Sequence, residues 1–110
     1  MIDMEKEFKP VGTPLYLKQR TGNYYVDAVK VPFTVIGKCG GKLVVQKAKC
    51  IFPGQQYYNS LPTEIVADDK GEILTLNWSK KNGWWQNDEY GTGYPYIAVF
   101  GRYEYYPYLN

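Results

Sequence analysis

The 110-residue chain contains no histidine. The commonest general base, the commonest metal ligand and the usual pH switch near neutrality are therefore missing together. Cysteine is scarce too. Cys39 and Cys50 are the only two, too few for a disulfide framework and, without histidine, too few for a zinc site. No apolar run approaches the length of a membrane span, and residues 1–10 hold no apolar signal-peptide stretch, so the chain reads as cytoplasmic. A net charge of +2 is too small to imply nucleic-acid binding from bulk attraction. Internal repeats, low-complexity tracts and any sustained 3.6-residue period are also missing, which leaves a single domain over 1–110 with little helix. Residues 1–12, charged and with one short amphipathic stretch within 1–10, read as a loose N-terminal arm or a single helical turn.

What is abundant is the aromatic ring. Twelve Tyr, three Trp and four Phe exceed what one small core holds, and a tyrosine hydroxyl resists burial without a partner. Some of these rings belong on the surface, where aromatics favour contacts with other molecules.

Short β-branched and aromatic runs separated by turn signals predict an all-β fold. The expected shape is a small antiparallel barrel or sandwich, SH3-like or OB-like, of about five to seven strands. Residues 24–36 place Val29, Val31, Phe33 and Val35 on one face, and Pro32 argues for an edge strand or a bulge. Cys39-Gly40-Gly41-Lys42 is a tight hairpin signal. Its return strand over 42–52 puts Val44, Ala48, Cys50 and Phe52 on one face, with Gln46 interrupting it. Asp68-Asp69-Lys70-Gly71 predicts a second hairpin joining 64–67 to 72–78, closed by a left-handed glycine, with Leu74, Leu76 and Trp78 inward. Asn82-Gly83 marks a third hairpin, and 96–105 reads as the last strand. If the Gly40-Gly41 turn is right, Cys50 lies about 26 Å along the strand from Cys39 at 3.3 Å per residue. A disulfide tolerates a Cα separation of only ~7 Å, so both thiols are expected free.

Few residues invite chemistry. Cys39 sits between Lys38 and Lys42, which would favour a thiolate, but an incidental surface thiol accounts for it. Asp68-Asp69 belongs to a turn, and Asp88-Glu89 offers too few oxygens at fixed spacing for a calcium loop. Gly91-Thr92-Gly93 is followed by a strand rather than the helix a phosphate loop needs. No catalytic residue, metal or cofactor is nominated, and an enzyme is not expected.

The rings make a better candidate. Tyr57, Tyr58, Trp84, Trp85, Tyr90, Tyr94 and Tyr96 cluster in two loops and their borders, among Gln55, Gln56, Asn59, Asn87, Lys80 and Lys81. Rings, amides and a few cations compose a base-stacking pocket or a protein-binding hot spot. The same rings also suit capping of the barrel ends, and only one of Trp84 and Trp85 can point inward on a regular strand. Tyr103, Tyr105, Tyr106 and Tyr108 form a second cluster, which offers an oligomer contact or pins the chain's tail. Residues 1–50 carry nine Lys or Arg against four Asp or Glu. Lys38, Lys42, Lys47 and Lys49 thus provide a nucleic-acid alternative, and blunting of strand edges explains them as well.

Several segments together resemble a group of small phage- and prophage-encoded accessory proteins. They are Phe33-Thr34-Val35-Ile36, Gly41-Lys42-Leu43-Val44-Val45-Gln46-Lys47-Ala48, Asp68-Asp69-Lys70-Gly71-Glu72-Ile73, Lys81-Asn82-Gly83-Trp84-Trp85 and Gly101-Arg102-Tyr103-Glu104-Tyr105-Tyr106. The likeness brings no site residues with it. It implies a context inside a bacterial host. Joined to the small size, the missing catalytic groups and the surplus aromatics, it leads to the expectation of a non-enzymatic protein that antagonises a defence component by stoichiometric binding. Such a protein would sequester a nucleotide-type small molecule or block a host protein. A virion structural part is a further alternative.

Overall fold

The computed structural model describes residues 8–52, 61–88 and 95–106. Along them run β1 (Pro14–Gln19), a helical turn α1 (Tyr24–Asp27), β2 (Lys30–Cys39), β3 (Lys42–Lys47), β4 (Lys49–Ile51), β5 (Glu64–Val66), β6 (Ile73–Ser79), β7 (Trp84–Asn87) and β8 (Tyr96–Phe100). Six strands close a barrel in the order β1-β2-β3-β6-β7-β8, while β4 and β5 form a separate two-stranded ribbon. An even number of strands wound as a meander returns the last antiparallel to the first. β8 therefore zips onto β1 from Leu15↔Phe100 to Gln19↔Tyr96, and the six strands present no open edge. The expected small all-β barrel is present, its six strands within the expected five to seven, with the two ribbon strands besides.

Local chemistry explains the β2–β3 hairpin. Gly40 and Gly41 have φ of 57° and 82°, the two positive values a primed turn demands, and Cys39 pairs directly with Lys42. Both cysteines are free, Cys39 at this exposed tip and Cys50 in β4.

Several sequence expectations change. The return strand breaks at Ala48, whose amide bonds the Pro32 carbonyl, so the face read from Ala48, Cys50 and Phe52 does not carry back into β3. Leu43 and Val45 are the inward residues and Val44 is half-exposed, since a one-residue slip exchanges the two faces. Pro32 does not mark an edge, because β2 pairs with both β1 and β3, and the expected bulge is present in β2 but not at Pro32 itself. Its nitrogen and carbonyl face the side where β3 has just ended at Phe33↔Lys47, so the missing N–H falls beyond the ladder. The bulge lies between Val35 and Gly37 and turns Ile36 outward.

Asp68–Gly71 is not a hairpin. β5 pairs with β4 and β6 with β3, so the turn joins ribbon to barrel. It closes through the Gly71 amide on the Asp68 carbonyl at 3.2 Å and the Lys70 amide on Asp68 Oδ1 at 3.0 Å. Gly71 is not among the positive-φ glycines. The last strand, in turn, ends at Phe100 and not at Tyr105.

Leu15, Leu17, Phe33, Val35, Leu43, Val45, Leu76, Trp85 and Ala98 fill the barrel, with Leu74 and Trp78 packed against them. Asn82-Gly83 turns β6 into β7 and sets Trp85 opposite Trp78, ring centroids 5.5 Å apart. Phe8 caps this core from outside the strands, 5.3 Å from Trp85. The Gly12 amide bonds the Val35 carbonyl at 2.8 Å, and the Val35 amide bonds Thr13 at 3.0 Å. From Phe8 onward, the expected loose arm is therefore anchored.

After β8 the chain becomes a strap over the outside of β1 and β2. The Tyr103 and Thr34 hydroxyls lie 2.8 Å apart, and Lys30 and Tyr106 exchange both backbone hydrogen bonds. Tyr105 packs edge-on against Phe52. Glu104 accepts from Lys30 Nζ at 3.1 Å and Arg102 Nε at 2.8 Å. For the described part of the C-terminal tyrosine cluster, this is the pinning role. Burial pushes the Glu104 carboxyl up, but the bonds from Lys30 and Arg102 and their charges outweigh it and hold the carboxyl below its usual value.

A carboxyl lowered by folding stabilises the fold above its unfolded value and loses that contribution as pH falls through the lower folded value. Glu104→Gln is expected to lower the melting temperature at pH 7, and the gap from the parent should close as pH falls below 4.5, the ordinary value for this carboxyl. Thermal melts at pH 7 and pH 3 measure the difference.

Candidate functional site at Trp84

Period-2 alternation along β7 separates the tryptophan pair. Trp85 points into the core and is 2% exposed, while Trp84 stands half-exposed on the outer face. The same face carries Gln86 and then Asp88, and the three side chains form a chain of contacts. Trp84 Nε1–H donates to Gln86 Oε1 at 2.8 Å, and Gln86 Nε2 donates to Asp88 Oδ1 at 2.7 Å. The Arg20 guanidinium lies over the indole, 5.6 Å from the ring centroid. The ring is thus held in one orientation before any partner arrives, which lowers the ordering cost of binding.

Arg20 has its own support. It follows β1, and in the loop beyond it the Asp27 carboxylate accepts from the Thr21 amide at 2.6 Å, the Thr21 hydroxyl at 3.0 Å and the Gly22 amide at 3.1 Å. The Thr21 amide bond is the main reason that the Asp27 carboxyl is held below its usual value, so this brace is ionised near neutrality.

Of the residues nominated from sequence, Lys80 and Lys81 are exposed in the turn that leads into Trp84. Tyr96 is half-buried against the core, and burial pushes its hydroxyl up. Trp85 is a core residue, so its ring is not offered to a partner. Tyr57, Tyr58, Tyr90 and Tyr94 lie outside the described residues, as does the Gly91-Thr92-Gly93 motif. Arg20 was missed from sequence. It is 64 positions from Trp84, and only closure of β1 onto β8 and β8 onto β7 brings them together.

The four lysines of the nucleic-acid alternative do not share a face. Lys38 pairs with Leu43 and sets its ammonium 5.2 Å over the Phe8 ring at one mouth of the barrel. Lys47 pairs with Phe33 at the far end of β3, about 13 Å away at 3.3 Å per residue. Lys42 is exposed at the hairpin tip and Lys49 is exposed in the ribbon. Burial raises the Cys50 thiol, which weakens it as a nucleophile. Among the described residues no cluster of three acidic or cysteine side chains is placed to hold a metal, and no helix is long and apolar enough to cross a membrane.

Comparison with protein-family models, with curated proteins and with solved structures returns no match for this chain.

Proposed function

We propose that the chain is a non-enzymatic accessory protein of the phage type, acting in the bacterial cytoplasm by stoichiometric binding to a component of host defence, with Trp84 at the centre of its contact surface. The observation that carries the reading is the braced Trp84. A half-exposed indole is fixed from its edge by Gln86 and from its face by Arg20, while its neighbour Trp85 fills the core. Trp and Arg are the side chains most enriched at binding hot spots. An indole flanked by amides and cations also suits stacking on a nucleobase. The resemblance to phage accessory proteins supplies the cellular context.

Bacterial strains that each carry one defence system test the role. Expression of the chain should restore phage plaques by at least tenfold in one of them. Trp84→Phe should retain that effect and Trp84→Ala should lose it. Plaque counts unchanged across the panel, or an effect indifferent to Trp84→Ala, would reject the reading. Tryptophan fluorescence titrated with mono-, di- and cyclic nucleotides then separates sequestration of a nucleotide from blockade of a protein.

A further inference from the structure

The outer face of β2 and β3 carries a groove of about 390 Å³ with features unrelated to Trp84. Thr34, Ile36 and Gln46 form its floor, Val11 and Gly12 one wall, and Ala67, Asp68 and Asp69 the other. The floor is open because the bulge adds a residue to β2 and turns Ile36 outward, leaving it 37% exposed. Val11 is 72% exposed, yet the backbone on either side is tied down. The Thr13 amide and hydroxyl both bond the Pro10 carbonyl, and the Gly12 amide bonds Val35. This is a fixed apolar wall rather than a frayed end. The apolar surface continues past Gln46 to its cross-strand neighbour Ile73, which is 57% exposed.

The opposite wall is acidic. The Asp68 turn presents two successive carboxylates, and no Lys or Arg lines the groove. Among the described residues neither carboxylate pairs with a cation. Exposed aliphatic surface at Ile36 and Val11 and unneutralised carboxylate on the opposite wall match one kind of side chain, a long aliphatic stem with a cationic head. The volume suits one or two side chains and is at the small end for a cofactor.

We propose that this groove is a second binding site, separate from the Trp84 face, and that it takes an arginine flanked by aliphatic residues on an extended segment of a partner protein. The arginine stem lies on Ile36 and Val11, its guanidinium meets Asp69, and the flanking residue covers Ile73. A planar guanidinium is preferred to an ammonium because it can engage a carboxylate through two parallel hydrogen bonds.

The probe is the capped tripeptide acetyl-Val-Arg-Val-amide, titrated into the intact ¹⁵N-labelled protein, with acetyl-Val-Glu-Val-amide as its counterpart. The arginine peptide should shift the amide signals of Thr34, Ile36, Gln46 and residues 67–69, and raised salt should weaken the binding. Asp69→Lys should abolish the shifts. Asp69→Asn should weaken binding about two- to fivefold, the range of one exposed ion pair. Both substitutions are at an exposed turn position, and unchanged signals elsewhere confirm the fold. Absence of shifts, equal shifts with the glutamate peptide, or shifts confined to the Trp84 face would overturn the proposal. So would groove signals that move on dilution without peptide, because they would make a second copy of this chain the occupant. Loss of the Trp84 reading in the plaque assay leaves these outcomes unaffected, so the two proposals fail separately.

Discussion

Trp85→Ala is expected to lower stability by about 3–5 kcal/mol, the usual cost of deleting a large buried aromatic. Trp84→Ala should cost less than about 1.5 kcal/mol. The residues are adjacent and identical, so the contrast isolates position from composition. Trp85 loses its contacts with Trp78 and Phe8, and the void falls in the barrel interior where three rings meet. Neighbouring strands are tied by ladders on both sides, so collapse around that void is incomplete and the cavity adds to the lost transfer energy. Trp84 gives up one hydrogen bond to Gln86 and a cation–π contact with Arg20, both on the surface. Urea denaturation of the two variants measures the difference. Similar midpoints for both would show that Trp85 does not occupy the barrel core.

Gly71→Ala should destabilise by about 1–3 kcal/mol, the range for a group forced into a packed position. A Cβ at Gly71 would overlap the backbone carbonyl of Lys47, which cannot swing aside as a side chain could. That carbonyl belongs to the end of β3, where the Lys47 amide bonds Glu72 at 2.8 Å and Gln46 Nε2 bonds the Gly71 carbonyl at 3.0 Å. Relief of the clash must therefore stretch the junction between the Asp68 turn and the β3–β6 pair. The sequence predicted a special glycine here for the wrong reason, a left-handed turn residue. The structure requires glycine because two backbones approach closely. Gly71→Asn distinguishes the two causes. A left-handed position tolerates asparagine, whereas a close approach rejects it at least as strongly as alanine.

Legibility followed the range of the determining interaction. The Gly40-Gly41 and Asn82-Gly83 turns are set by residues within four positions of one another and were readable; alternation likewise showed that only one of Trp84 and Trp85 faces inward, but not that it is Trp85. The face of β3 was not, because the break at Ala48 depends on a hydrogen bond to Pro32. The hairpin assigned to Asp68–Gly71 failed for a related reason. A turn does form there, held by the Asp68 side chain and carbonyl, but the strands around it had better partners elsewhere, Glu64–Val66 with β4 and Ile73–Ser79 with β3. Arg20 over Trp84 left no trace in either local segment.

By itself, the sequence determined an all-β chain with surplus aromatics, without histidine and with isolated turn carboxylates. Composition and two-residue periodicity are properties of the unpaired chain, so they survive any arrangement of the strands. Only the tertiary structure decided which rings face a partner, where the bulge opens the Ile36 groove, and that the strap from Arg102 to Tyr106 belongs to the fold. Each depends on contacts between residues far apart in the chain. Their register is chosen by barrel closure as a whole, where burying one face of six strands at once outweighs the preference of any single segment.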